Sequence, residues 1–190
     1  MELCGANFIK KTSIKMQELT QAQADAFFQN KLDGLLRKLT PDMKPAWGRM
    51  TPHHMVEHLA WVIDGAMENW QVTVITPTEK LPRMQQFVRS NFAISQNFAH
   101  PNMPAGGELP PLQTATLEDA IVVFWEKWAA FDAFMAANPG KRTNHVVFGP
   151  LNHEAWRLMQ YKHLVHHLTQ FGLTTLEAEG LQPLPARPAQ

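Results

Sequence analysis

Asn152-His153-Glu154-Ala155-Trp156-Arg157-Leu158-Met159-Gln160-Tyr161-Lys162-His163-Leu164-Val165-His166-His167-Leu168-Thr169-Gln170-Phe171-Gly172 reads as one helix from cap to stop. Asn152 offers a side-chain oxygen to the unpaired amides of a first turn. Gly172 supplies the residue that most readily leaves a helix through the left-handed region. Between them Trp156, Met159, His163, His167 and Gln170 fall on one stripe at about 100° per residue, where a bundle places its apolar core. Two histidines therefore sit in a core stripe, one helical turn apart.

Working outward, Thr51-Pro52 repeats the start signal, with a capping threonine and a proline at the first helical position, where its missing N–H is harmless. The second helix of the chain then runs to about Trp70, and its stripe of Met55, His58, Leu59, Val62 and Ala66 again contains a histidine. A first helix opens at Thr20, with Gln23 at capping-box spacing, and Phe28, Leu32, Leu35, Leu36 and Leu39 recur until Pro41. Thr116, Glu118 and Asp119 open a third, whose apolar face of Ile121, Phe124, Trp125, Trp128, Phe131 and Met135 ends at Asn138-Pro139-Gly140. The helix first quoted is thus the fourth.

Four long helices predict an all-α fold, a four-helix bundle with a long crossover connection between helices two and three, Thr73 to Pro111. One short helix is expected in that crossover, around Arg83 to Val88, and the only strand candidates are Val72 to Ile75 and Val146-Val147. The expected organisation is an N-terminal arm over residues 1–19, a single metal-binding bundle domain over 20–173, and a disordered tail over 174–190, which ends PLPARPAQ.

The 190 residues carry 17 Lys plus Arg against 17 Asp plus Glu, so the chain lacks the positive field that holds proteins on nucleic acid. No apolar run suggests a signal peptide or a membrane span, which makes cytoplasmic the expected location. The single cysteine, Cys4, excludes a multi-cysteine zinc site. Any bound metal must be held by histidine and carboxylate.

Nine histidines are present, seven of them within helices two and four. An H-x-x-x-H pair alone is a weak signal. Buried imidazoles on facing helices, however, need a partner for every nitrogen and repel one another when protonated, and a metal resolves both problems. His163 and His167 lie about 6 Å apart along the helix axis, so both can reach one ion. His58 is the third candidate ligand, with His54, one turn earlier, as its rival. His166 and His145 remain further alternatives, and His53, His100 and His153 read as solvated or cap-region residues. Glu57 reads as a surface charge rather than a general base. The signatures H-E-x-x-H and G-x-S-x-G are absent, as are phosphate and dinucleotide loops.

The stretch from Pro45 through Trp47-Gly48-Arg49-Met50-Thr51-Pro52-His53-His54-Met55-Val56-Glu57-His58-Leu59, with Phe148-Gly149-Pro150-Leu151 and Trp156 through Gly172, resembles the DinB-like (YfiT-like) superfamily of metal-dependent enzymes. The likeness is to an uncharacterised branch of it and spans roughly Thr20 to Leu173. It implies a bundle, commonly a homodimer, with a divalent metal ion held by one histidine of the second helix and an H-x-x-x-H pair of the fourth. Position by position these are His58, His163 and His167. The commoner ending H-R-G-Q here reads His167-Leu168-Thr169-Gln170, which keeps the ligands and the glutamine. The resemblance further implies hydrolysis of a small-molecule substrate or, as in another branch, transfer of a low-molecular-weight thiol; a non-catalytic dimeric bundle is the third possibility. Imidazole ligands suit zinc, nickel or iron.

Overall fold

A computed structural model describes residues 16–96 and 108–185. The start of the arm, His100 with its surroundings, Cys4 and the last five residues of the tail lie outside the described residues. The described residues are mainly helical, with six α-helices and one small two-stranded sheet.

Thr20 caps the first helix through the expected box, accepting from the Gln23 amide while Gln23 Oε1 accepts from the Thr20 amide. The single helix expected up to Leu39 is divided at Lys31 into α1, Gln21–Asn30, and α2, Leu32–Leu36. Lys31 leaves helical geometry at φ −122°, yet its amide still reaches the Phe27 carbonyl and its carbonyl the Leu35 amide. The break is therefore a bend. Gly34, a poor helix former, follows within it, and Leu32 and Leu36 stay buried on both sides.

α3, Pro52–Ala66, starts at Thr51 as expected but ends four residues before Trp70. Glu68 turns the chain through a positive φ of 61°, and Trp70 folds back to stack on Trp61 with ring centroids 4.3 Å apart. The crossover holds a 3-10 turn at Thr78–Lys80 and α4, Leu81–Arg89. α5 spans Leu117–Ala137 behind a Thr116–Asp119 capping box, and α6 spans His153–Gln170 behind Asn152. Gly172, at φ 70°, ends α6 with the amides of Gly172 and Leu173 returning to the carbonyls of Thr169 and Leu168.

The strands fall elsewhere than expected. β1, Thr143–His145, pairs antiparallel with β2, Gly149–Leu151, and Val146-Val147 form the turn between them. His145 Nδ1 closes that turn by accepting from the amides of Val147 and Phe148, at 3.0 and 3.3 Å. Val72 to Ile75 form no strand; Ile75 only donates its amide to the Val146 carbonyl.

α3 packs chiefly on α5, while α6 packs on α1 and α4 and meets α3 through the core. Trp156, Tyr161, Leu164, Val165 and Leu168 of α6 are all buried there. Lys162 is buried with them. It donates to the Phe87 carbonyl and lies 3.8 Å from the Phe87 ring centroid, pinning α4 to α6, and burial pushes its ammonium down to about 7.

The tail corrects the sequence reading over its described part, 174–185. Leu181 is 5% exposed, Tyr161 donates to the Glu179 carbonyl, and the buried Glu179 carboxylate accepts from Lys31 and Thr174. Gln182 then laps residues 91–93, its amide on the Asn91 carbonyl and its carbonyl on the Ala93 amide. The proline-rich composition that suggested disorder begins only after these anchors. Leu181→Ala is expected to lower the unfolding free energy by about 2–4 kcal/mol in a urea titration, whereas a loose tail would leave the midpoint unchanged.

Candidate metal centre

His163 and His167, separated by one turn of α6, meet His58 from α3. His163 Nε2 lies 3.0 Å from His58 Nε2 and 3.1 Å from His167 Nε2. Among the described residues, these three form the set of possible ligands whose atoms all lie within 4.8 Å of one another. They are the three residues selected from the sequence.

The hydrogen bonds around them determine where the protons are. A carbonyl can only accept, so the Gln170 amide nitrogen faces the Trp47 carbonyl at 2.5 Å, and the Gln170 oxygen faces His167. That oxygen also accepts only. His167 Nδ1 therefore carries the ring proton and donates it at 2.9 Å, which leaves Nε2 of the neutral ring as a lone pair aimed at His163. His163 Nε2 faces both this lone pair and His58 Nε2, and can supply a proton to at most one of them. Its Nδ1 is buried with no partner among the described residues.

Protonation does not relieve this shortage. Burial first, then the charges that neighbouring imidazoles would carry, push His163 and His167 well below the ordinary imidazole value. A divalent cation would relieve it: the separations of 3.0 and 3.1 Å from His163 are short enough for one ion about 2.0–2.1 Å from each nitrogen. The residues present thus fit a metal ion, and Gln170 performs the task of an outer partner, orienting one ligand and selecting its tautomer.

That glutamine depends on a glycine the sequence reading passed over. Gly48 has a φ of 77°, and a Cβ there would fall 2.7 Å from Gln170 Nε2. The Ala46 amide also donates to the Gln170 carbonyl, at 2.8 Å. The signal was available as Trp47-Gly48 within the family-like segment, but only the folded chain brings it beside α6.

The other candidates are not brought to this point. His54 stays at the start of α3, its Nδ1 2.6 Å from the Thr51 hydroxyl. His145 uses Nδ1 to accept two turn amides, so its neutral ring carries the proton on Nε2 and presents no lone pair to a metal. His166 Nδ1 donates to the Ile94 carbonyl at 3.3 Å, and its ring meets Trp47 edge-on. His153 faces Asp132 at the start of α6, its Nε2 3.3 Å from the carboxylate.

Glu57 is more than a surface charge. Its carboxylate accepts from the amides of Gln113 and Thr114 and from the Thr114 hydroxyl, tying the end of the crossover to α3. Burial alone would raise its pKa, but these hydrogen bonds and nearby His53 outweigh it and hold the carboxyl below the usual glutamate value. Engaged in this way, it is not placed as a base.

No family model, curated protein or solved structure matches the chain. The site must be judged on its own atoms.

Two outcomes test those atoms. Gly48→Ala should displace Gln170 and weaken metal binding by roughly 10- to 100-fold, read by competition with a chelating dye, while leaving His58, His163 and His167 intact. In the metal-free protein, the unfolded chain protonates these imidazoles near pH 6.5, whereas folded His163 and His167 stay neutral to lower pH. Their contribution to stability is thus fully present above about 6.5 and is lost as pH falls toward the depressed folded values. Denaturant titrations between pH 7.5 and 5 should show this decline, and a His163→Ala/His167→Ala double variant should flatten it.

Proposed function

We propose that this chain is a metal-dependent hydrolase of a small molecule, with one divalent ion held by His58, His163 and His167. The observation that carries the reading is the convergence of three Nε2 atoms in a helical core with too few protons to satisfy them. The resemblance of helices two and four to the DinB-like superfamily supports it. So does the mainly helical architecture, in which α3 packs on α5 and α6 packs on α1 and α4; we read α1–α2, α3, α5 and α6 as the four members of a bundle.

Three imidazoles leave coordination positions for other groups, as reactive sites require and closed structural sites do not. When bound, the ion, which we take to be zinc, nickel or iron, supplies a Lewis acid that polarises a substrate oxygen or acidifies a nucleophile. The protein's residues do the rest. Gln170 holds His167 in the tautomer that offers Nε2, and the Trp47 carbonyl fixes Gln170. Trp61 lies against the outer side of His58, with ring centroids 6.5 Å apart. The homodimer implied by the same resemblance completes the reading.

Elemental analysis of protein expressed in metal-supplemented medium should give about one equivalent of divalent metal per chain, and His58→Ala, His163→Ala and His167→Ala should each lose it. Metal-dependent turnover of ester or amide substrates without added thiol is the expected activity. Consumption of a small thiol by an electrophile, with no turnover of esters or amides, would replace hydrolysis by transfer; absence of metal from wild type would sink both.

A further inference from the structure

Within α6 the run Gln160-Tyr161-Lys162-His163-Leu164-Val165-His166-His167-Leu168-Thr169-Gln170 places one glutamine three residues before the first candidate ligand and another three residues after the second. Gln170 takes the Nδ1 proton of His167. Gln160 Nε2 has no partner among the described residues, and neither has His163 Nδ1, although both atoms are buried.

Gln160 is 1% exposed, in the stretch of α6 where Trp156, Leu158, Met159 and Leu164 are buried as well. An amide left without a hydrogen bond in such surroundings is costly, and a methionine of similar length would avoid the cost. The polar side chains beside it are already committed. Trp156 donates to the Thr143 hydroxyl, Tyr161 to the Glu179 carbonyl and Lys162 to the Phe87 carbonyl. The two unpartnered atoms thus belong to residues one helical turn apart.

Side chains three residues apart share a helix face, with Cβ atoms about 5–6 Å from one another. Helical side chains also lean toward the N-terminus, which brings position 163 over the turn that carries position 160. The two groups are not bonded in the metal-free arrangement, but the gap is one that a glutamine's rotatable chain can close. Gln170 closes an equal sequence spacing to His167 at 2.9 Å.

The chemistry of the pair is complementary in both states of the site. A histidine that offers Nε2 to a metal carries its proton on Nδ1, and that buried N–H needs an acceptor. Without metal, His163 can keep its proton on Nε2, toward one neighbouring imidazole, and Nδ1 is then a lone pair. A carboxamide serves either form. Its nitrogen donates to the lone pair, and after a turn about the last torsion its oxygen accepts from the N–H. A carboxylate could only accept, and an apolar side chain could do neither.

We propose that Gln160 is the positioning residue of His163, holding the ring through Nδ1 and exchanging donor for acceptor when the ion binds. The inference rests on the metal reading given above.

NMR of ¹⁵N-labelled protein during zinc addition separates the two. Zinc-free wild type is expected to show a coupling across the N–H···N bond between Gln160 Nε2 and His163 Nδ1, and zinc should replace it with a His163 Nδ1–H signal protected from solvent exchange. Gln160→Met should weaken zinc binding by roughly 10- to 100-fold, read by competition with a chelating dye, and Gln160→Glu, which keeps an acceptor, should recover most of the loss. Should Gln160→Met fail to fold, the coupling, measured on the unaltered chain, decides alone. No coupling in zinc-free wild type, or unchanged zinc affinity in Gln160→Met, overturns the assignment of Gln160 and leaves the metal centre standing. If wild type binds no zinc, the metal reading fails and the assignment falls with it.

Discussion

Three imidazole nitrogens that meet in a helical core need more partners than their own protons can supply. His167 has already spent its ring proton on Gln170, and His163 faces two neighbours with one nitrogen while the other lies buried and unpartnered. Charging the rings is opposed by burial and by mutual repulsion. This frustration sits at the junction of α3 and α6, and much of the surrounding structure bears on it. Apolar side chains at the same positions would pack without any of these costs, so the cluster adds no stability by itself and forms a group that could hold a metal ion.

The supporting parts come from segments far apart in the chain. The linker before α3 brings the Trp47 carbonyl and the bare backbone of Gly48 against Gln170, so the tautomer of a residue near the end of α6 depends on a turn more than 100 positions earlier. On another side, Ile94 of the crossover accepts from His166, and residues just before it are held by the described tail through Asn91 and Ala93. Glu57 fastens the other described end of the same crossover to α3. The long connection is thus anchored on both sides of its central part, by side chains whose neighbours in sequence do not announce the task.

Aromatic residues divide along similar lines. Trp156, Phe124 and Phe131 are interior packing, as their helical spacing indicates. Trp61 and Trp70 share the sequence character of core residues, yet the left-handed turn at Glu68 and the space above Gly65 place them as a stacked pair at the rim beside His58. Periodicity within α3 cannot tell that Trp61 stacks on a residue beyond the helix end rather than filling the core.

What the amino-acid sequence determined by itself was whatever depends on local chemistry. The caps at Thr20, Thr51, Thr116 and Asn152, the stop at Gly172 and the one-turn spacing of His163 and His167 follow from side chains acting on backbone within a few residues. The choice of His58 over His54 needed a family likeness, since both lie on the same helix; the structure shows His54 held to Thr51 at the helix start. Tertiary structure alone decided the bend at Lys31, the strands at Thr143–His145 and Gly149–Leu151, the packed tail and the tautomer of His167. Each of these rests on a partner dozens of residues away or on a turn that diverts the chain, and no local pattern encodes which distant carbonyl, carboxylate or ring will be waiting there.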